Sequence, residues 1–248
     1  MTIRYGIIGT GMMGCEHIRN LAAMEGVDIT AIADPNEKPR DWGRNACGDR
    51  FAPEVYEDYR DLLARDDVDA VVVASPNYSH IDVMRDIFQT DKHVMLEKPM
   101  CTTITDSKEL VKSADQHPGI VWIGLEYRYM SPITATLQHL DAIGDIRMCA
   151  IREHRFPFLK KVGNWNRFNR NTGGTLVEKC CHFFDLMTQV IPSEPIRVIA
   201  SGGQDVNHLD EFYNGETPDI MDNAYVIVEF ANGARALLDL CMFAEGSR

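Results

Sequence analysis

The stretch that most limits the folds open to this chain is Ile3-Arg-Tyr-Gly-Ile-Ile-Gly-Thr-Gly-Met-Met-Gly14. Ile3, Tyr5, Ile7 and Ile8 read as a short buried strand, Gly9, Gly11 and Gly14 make G-x-G-x-x-G, and Cys15 to Met24 has helical periodicity. A strand, a tight turn and a helix in that order turn the unpaired N–H groups and positive dipole end of the helix toward whatever lies beyond the strand. That arrangement suits a pyrophosphate, and glycine removes the side chains that would block its approach. Gly9, Gly11, Met12, Met13 and Gly14 are therefore the candidate phosphate-cradling residues.

Three glycines at this spacing also occur in ordinary turns, so the flanks carry the reading. A second strand, Ile29-Thr-Ala-Ile-Ala33, ends in Asp34. The acid stands about twenty residues past Gly14, where a dinucleotide fold sets a carboxylate on the adenine ribose hydroxyls. A carboxylate there repels a 2′-phosphate, so NAD is expected over NADP; Arg40 is the residue that would favour NADP. The alternative for Asp34 is a turn or cap residue ahead of Pro35.

The alternation continues. A helix over Pro35 to Asp49, a short strand and helix within Ala52 to Ala64, and the β-branched run Asp69-Ala-Val-Val-Val-Ala-Ser75 follow in turn. Ser75-Pro-Asn-Tyr-Ser-His80 is a turn, Ile81 to Thr90 an amphipathic helix, His93-Val-Met-Leu-Glu97 a strand closed by Lys98-Pro99, Thr105 to His117 a helix and Ile120 to Leu125 the sixth strand. Short apolar runs separated by helices predict a doubly wound parallel sheet of the Rossmann type. Around Glu126 to Pro132 the pattern changes, and the chain divides by expectation into an NAD(P)-binding domain, 1–126, and a substrate and oligomerisation domain, 127–248.

In the second part a helix is expected over Pro132 to Ile143, a strand over Ile146 to Phe156, a polar aromatic loop over Lys160 to Thr172 and a helix over Thr175 to Ile191 after Gly173-Gly174. Strands at Ile196 to Ser201, Asn223 to Phe230 and Ala234 to Met242, the last two joined by the Asn232-Gly233 turn, predict an α/β domain with an open, mostly antiparallel sheet. Asp205 to Pro218 reads as a mobile polar loop. The chain stops at Phe243-Ala-Glu-Gly-Ser-Arg248, directly after a strand and with no closing element, so the polypeptide is expected to continue beyond Arg248 or to have been truncated there.

Composition narrows the partners. With 37 acidic against 25 basic residues, a net charge of −12 and no Lys/Arg cluster, a nucleic-acid backbone is an improbable partner, and any anionic ligand must be held locally. The seven cysteines are odd in number and lack a C-x-x-C, which suggests reduced thiols in a cytoplasmic protein. No signal-peptide pattern and no run of about eighteen apolar residues occurs, so a soluble protein is expected.

Ligands of an open parallel sheet bind beyond the carboxyl ends of its strands. Gly9 to Gly14, Asp34, Ser75 to His80 and Glu97-Lys98-Pro99 all fall there. Lys98, held between Glu97 and Pro99 at the end of a buried strand, suits the substrate edge of a nicotinamide; the alternative is a surface lysine before a turn. Glu178 and His182 stand four apart in the helix after Gly173-Gly174, on one helical face. A histidine with an ordinary pKa near 6.5 takes a hydroxyl proton as the carbon loses hydride, and a carboxylate one turn away orients the ring. Packed core histidine is the alternative. Cys180 and Cys181 flank this face, but adjacent cysteines diverge on a helix and no third ligand is visible, so no metal is expected.

Taken together, Gly9-Thr-Gly-Met-Met-Gly14, Asp34, Ser75-Pro76-Asn77 with His80, Glu97-Lys98-Pro99, Glu126-Tyr-Arg128 and Gly173-Gly-Thr-Leu-Val-Glu-Lys-Cys-Cys-His182 resemble, in order and over nearly the whole chain, the glucose–fructose oxidoreductase/inositol dehydrogenase/MocA-like family. The Glu-Lys-Pro motif and the helix ending in histidine are the more specific parts. The resemblance implies a Rossmann domain binding NAD or NADP through Gly9, Gly11, Met12, Met13, Gly14, Asp34, Ser75, Pro76, Asn77, His80, Glu97, Lys98 and Arg128. It also implies a C-terminal α/β domain that carries a sugar or polyol substrate and builds a homo-oligomer through its sheet. By position Lys98 corresponds to the family's active-site lysine, His182 to its acid/base, and Glu178 to a position most often Asp, one methylene shorter. Trp165 and Arg167 resemble residues that contact the nicotinamide side, or the rim. The expected activity is NAD-dependent oxidation of a secondary hydroxyl of a sugar, cyclitol or polyol, or the reverse. The alternatives are a glycoside hydrolase that recycles NAD through transient oxidation and a non-catalytic nicotinamide-binding regulator.

Overall fold

The computed structural model describes residues 2–244. The chain divides into two compact units, Met1–Gly124 and Leu125–Arg248.

The first unit runs β1 (Ile3–Ile8), α1 (Met12–Ala22), β2 (Val27–Ala33), α2 (Glu37–Cys47), β3 (Glu54–Tyr56), α3 (Tyr59–Leu63), β4 (Ala70–Val73), α4 (His80–Ile87), β5 (His93–Leu96), α5 (Ile104–Ala114) and β6 (Val121–Ile123). All strand pairs are parallel and their order is β3-β2-β1-β4-β5-β6. Two-residue side-chain alternation splits the apolar strand residues between the faces. Ile7, Ile29, Ile32 and Val72 pack with Ile18 and Leu21 of α1 and Cys47 of α2, whereas Ile8, Ala33, Val71, Val73 and Leu96 pack with Leu62, Val83, Met84 and Leu110 of α3, α4 and α5. Helices thus cover both faces, which is why every residue of β4 is buried. The chain reverses direction of growth between β1 and β4, the switch point where such sheets open a crevice at their carboxyl ends.

The second unit comprises α6 (Ser131–Gln138), β7 (Met148–His154), α7 (Asn169–Thr172), α8 (Thr175–Glu178), α9 (Cys181–Val190), β8 (Pro195–Gly203), β9 (Asn223–Phe230) and β10 (Arg235–Cys241). Its sheet has the order β7-β10-β9-β8; β10 runs antiparallel to β9, β9 antiparallel to β8, and β7 parallel to β10. Ala224, Val226, Val228 and Phe230 of β9 and Ala236, Leu238 and Leu240 of β10 bury one face against Cys180, Phe183 and Met187. The expected fold class therefore stands, an α/β chain with a Rossmann doubly wound parallel sheet followed by an α/β unit with an open, mostly antiparallel sheet.

Three local expectations need correction or refinement. The helix expected over Thr175 to Ile191 is interrupted at Lys179-Cys180, where the Cys180 N–H reaches the Thr175 carbonyl, 3.4 Å away, and so spans one residue more than an α-helical turn. The loop expected over Lys160 to Thr172 contains a kinked turn over Val162–Arg167, with Gly163 at φ +67° and Asn164 at φ +53°, and ends in the one-turn α7. The start of the polar loop expected to be mobile is anchored: the buried Asp222 accepts main-chain N–H bonds from Asp205, Val206 and Asn207 at 2.7–3.1 Å. The end of the chain past Ala244, including the expected continuation, lies outside the described residues.

Candidate functional site

In the first unit the glycine turn is built by close approach. Gly9 has φ +87°, and a Cβ on it would lie 2.7 Å from the Ser75 nitrogen; a Cβ on Gly14 would lie 2.0 Å from the Gly9 carbonyl oxygen. Gly11 differs, because a Cβ there would meet nothing within 4 Å. It is the helix N-cap, with no side-chain cap bond to occupy the first-turn N–H groups of Met12, Met13 and Gly14. Met12 is exposed and Met13 half-buried at this end.

Asp34 follows β2 directly and is buried. Its Oδ2 accepts the Thr10 N–H at 3.0 Å and its Oδ1 the Asn36 N–H at 2.9 Å, so one carboxylate joins the glycine turn to the start of α2. Arg40 donates to the Asp34 carbonyl oxygen at 2.8 Å. Past β4, the Ser75 hydroxyl accepts from Ser79, the Pro76 carbonyl accepts from the same side chain, and the buried Asn77 Nδ2 has no hydrogen-bond partner among the described residues. An open face at Gly11, uncapped helix N–H groups and an unsatisfied amide donor at neighbouring strand ends fit a dinucleotide with phosphate and carboxamide acceptors.

His80 is fully buried, with Nδ1 2.9 Å from the Pro99 carbonyl oxygen and Nε2 3.1 Å from that of Ser75. Burial pushes its imidazole below the ordinary value, although both carbonyls and the Glu97 charge pull the other way. The ring braces the turn after β4 against the cis Lys98–Pro99 peptide. Glu97 is buried too: Oε1 lies 2.7 Å from His17 Nε2 and Oε2 accepts the Lys98 N–H at 3.1 Å. Burial alone would raise this carboxyl, but the bond from His17 and the charges of His17 and Lys98 hold it below the usual range. Lys98 itself is half-buried. Sequence reasoning missed His17; its signal was a histidine one turn after Met13 in the helix that opens the glycine turn.

In the second unit Glu178 and His182 are both buried, at 3% and 2% exposure. Lys161 Nζ lies 3.3 Å from Glu178 Oε1 and 4.5 Å from the centroid of the half-buried Trp165 ring. The His182 ring lies flat on Tyr127, with centroids 4.1 Å apart and planes 9° from parallel. The Tyr127 hydroxyl accepts from Lys179 Nζ at 2.6 Å, and Lys179 also pairs with Glu153 of β7 at 3.1 Å. Tyr127 and Lys179 stand within the motifs quoted above, but the sequence assigned neither a role.

Arg128 forms a bidentate pair with Asp185 of α9, with Nε 2.9 Å from Oδ2. Arg167 is 1% exposed; its Nε donates to Glu211 at 2.8 Å, while Nη1 is a buried donor with no partner among the described residues. Burial would raise the Glu211 carboxyl, but bonds from Tyr213, His208 and Arg167 bring it down to about 2. The seven cysteines are free thiols, and burial pushes that of Cys180 up to about 12. Gly9, Gly11, Met12, Met13, Gly14, Asp34, Ser75, Pro76, Asn77, Glu97 and Lys98 gather at the carboxyl ends of the parallel sheet, with His80 behind them. Glu178 and His182 lie together in the second unit, and Arg128 there is committed to Asp185.

Comparison with known proteins covers both units. Residues 3–125 match the Gfo/Idh/MocA profile described as "Oxidoreductase family, NAD-binding Rossmann fold", and residues 139–248 its C-terminal alpha/beta domain. NAD is accordingly the cofactor of the first unit. The chain is 36% identical over 135 residues to inositol 2-dehydrogenase of Salmonella typhimurium, covering 52% of this chain and 38% of that protein. It is 25% identical over 240 residues to 2,7-anhydro-N-acetylneuraminate hydratase of Mediterraneibacter gnavus, covering 96% of this chain and 61% of the relative. The structure of scyllo-inositol dehydrogenase from Lactobacillus casei, with NAD(H) and scyllo-inositol bound, is similar in fold, with a TM-score of 0.83 at 23% identity over 98% of this chain and 71% of that one. The chain spans about three fifths of the length of the curated relatives it matches from end to end. No helix among the described residues is long and apolar enough to cross a membrane.

Proposed function

We propose, from the premise that this chain belongs to the Gfo/Idh/MocA oxidoreductase family, that it oxidises a secondary hydroxyl of a sugar, cyclitol or polyol, or reduces the corresponding ketone. The observation that supports this reading is the joint burial of Glu178 and His182 in a chain whose first unit binds NAD. NAD, when bound, supplies the acceptor for the hydride and its electron pair. His182 takes the hydroxyl proton on a ring nitrogen as the C–H bond breaks. Lys98 donates a hydrogen bond to the oxygen as negative charge develops on it, and Glu178 orients the acid/base or the substrate hydroxyl. Asp34, with both carboxylate oxygens already directed by main-chain N–H groups, favours NAD over NADP.

NADH formation measured across inositols, aldoses, sugar acids and glycosides tests this reading. Lys98→Met is expected to lower kcat by a factor between about a hundred and ten thousand with NAD affinity nearly intact; ordinary turnover in that variant removes Lys98 from the mechanism. One relative is named a hydratase, an activity without net oxidation. That favours a second, redox-neutral reading, in which product forms from a glycoside or anhydro sugar while NADH does not accumulate. We further propose that the second unit self-associates through its sheet, whose outer face exposes Ile199, Tyr225 and Ile227. Light scattering that returns a monomer at micromolar concentration breaks that part.

A further inference from the structure

His182 is carried on a helix interrupted immediately before it, and the interruption turns Lys179 inward. That side chain is only 7% exposed, an unusual position for lysine, and it is satisfied from two sides by the Tyr127 hydroxyl at 2.6 Å and the Glu153 carboxylate at 3.1 Å. Tyr127 comes from the 3₁₀ segment Glu126–Tyr129 and lies parallel to the His182 ring. Three elements therefore meet in one chain of contacts, from Glu153 on β7 to Lys179, to Tyr127 and to His182.

We propose that Tyr127 and Lys179 are positioning residues for His182, fixing the plane of its imidazole and favouring its neutral, proton-accepting form. The stacked phenol limits rotation of the imidazole ring. An unperturbed phenol face stabilises an imidazolium lying on it, because the face of the ring is negative. The ammonium of Lys179, bonded to the phenol oxygen, draws electron density out of that ring and adds a positive charge at its hydroxyl edge. Both effects disfavour a second proton on His182. Charged groups on the elements that carry this network include Glu178, paired with Lys161; Asp185, paired with Arg128; and Glu153, which offsets part of the Lys179 charge. Glu178 and Asp185 have cationic partners of their own, so the Lys179–Glu153 pair, whose cationic end bonds the phenol, is the one that acts on the stacked rings. The inference rests on the proposed role of His182 as acid/base, but its test does not need a substrate.

The test is an NMR titration of the His182 ring protons in the full chain, compared with Lys179→Met, Lys179→Arg, Tyr127→Phe and Tyr127→Leu. Loss of the ammonium in Lys179→Met raises the His182 midpoint by about half to one pH unit, an expected shift from removing a nearby like charge. Lys179→Arg, which keeps charge and donor, returns the midpoint to that of the parent protein. Tyr127→Phe keeps the stack but cuts the bond, and so shifts the midpoint in the same direction as Lys179→Met. In the double variant the shifts fail to add, as expected for residues acting as a unit. Tyr127→Leu removes the stack, so the His182 ring protons lose the upfield displacement that an aromatic ring stacked at 4.1 Å imposes. Midpoints unchanged in both Lys179→Met and Tyr127→Phe overturn the proposal, whether or not the protein turns over a polyol. Shifted midpoints in a protein without dehydrogenase activity uphold the pair and break the functional reading instead.

Discussion

His80 and His182 are both buried, at 0% and 2% exposure, yet their surroundings are opposite in kind. His80 has a main-chain carbonyl against each ring nitrogen, one from Ser75 and one from Pro99, and a neutral ring has only one N–H to share between them. It holds two segments together behind the strand ends. His182 lies on an aromatic ring and follows closely on Glu178 and Lys179, which pair with the side chains of Lys161 and Glu153. Burial therefore does not distinguish a brace from the proposed acid/base; the partners do. Main-chain carbonyls fix a ring, whereas a ring stacked on a phenol is open to influence from the side chains bonded to that phenol.

The sharpest way to break this contrast is substitution at both positions. His182→Asn is expected to lower kcat by a factor between about a hundred and ten thousand while the melting temperature stays within a few degrees of the parent. His80→Leu is expected to do the reverse. It strands two buried carbonyls at roughly 1–3 kcal/mol of stability, measured by urea unfolding, with NAD affinity of the folded fraction within about threefold of the parent. A stable His80→Leu protein with lost activity inverts the contrast.

A subtler sharpening uses pH. The folded His80 imidazole lies below its ordinary value, so at mildly acidic pH the unfolded chain binds the additional proton and the folded chain does not. The His80 contribution is complete above the unfolded pKa near 6.5 and is lost as pH falls below it, so stability rises with pH in that window. Urea midpoints measured between about pH 5 and 7 should show this slope in the parent and a smaller slope in His80→Asn. The smallest expected effect concerns Asp34, which, like His80, has main-chain partners. Asp34→Asn should shift the NAD/NADP affinity ratio toward NADP by about tenfold or less, read by fluorescence titration with each cofactor.

The parallel sheet was legible because its strands are buried on both faces and read as unbroken apolar runs, Ala70 to Val73 most plainly. The ends of those strands could be located for the same reason, which placed Asp34, Ser75 and Lys98 at the carboxyl edge. What those residues bond to was not legible. The partners of Asp34 are main-chain groups of Thr10 and Asn36, and main-chain geometry leaves little trace in a sequence. The interruption at Lys179-Cys180 was hidden because Thr175 to Val190 has acceptable helix formers throughout, and only tertiary contacts from Tyr127 and Glu153 draw Lys179 inward. A lysine reads as solvent-facing until its partners, 52 and 26 residues away by subtraction of their numbers, are known. The anchoring of the loop over 205–218 at its start was hidden likewise, since Asp222 looks like any other strand-flanking acid.

Because β1 lies between β2 and β4, the glycine turn is finished by residues far along the chain. The Gly9 N–H bonds to the Ala33 carbonyl, and Gly9 packs against Ala74 and Ser75. During synthesis β1, β2 and β3 are able to pair as soon as they emerge, but the second side of β1 waits for Ala70–Val73 to close a long-range parallel contact. The cofactor cradle at the start of the chain is therefore incomplete until Ala74 and Ser75 have joined it, and a nascent chain arrested before β4 should not retain NAD.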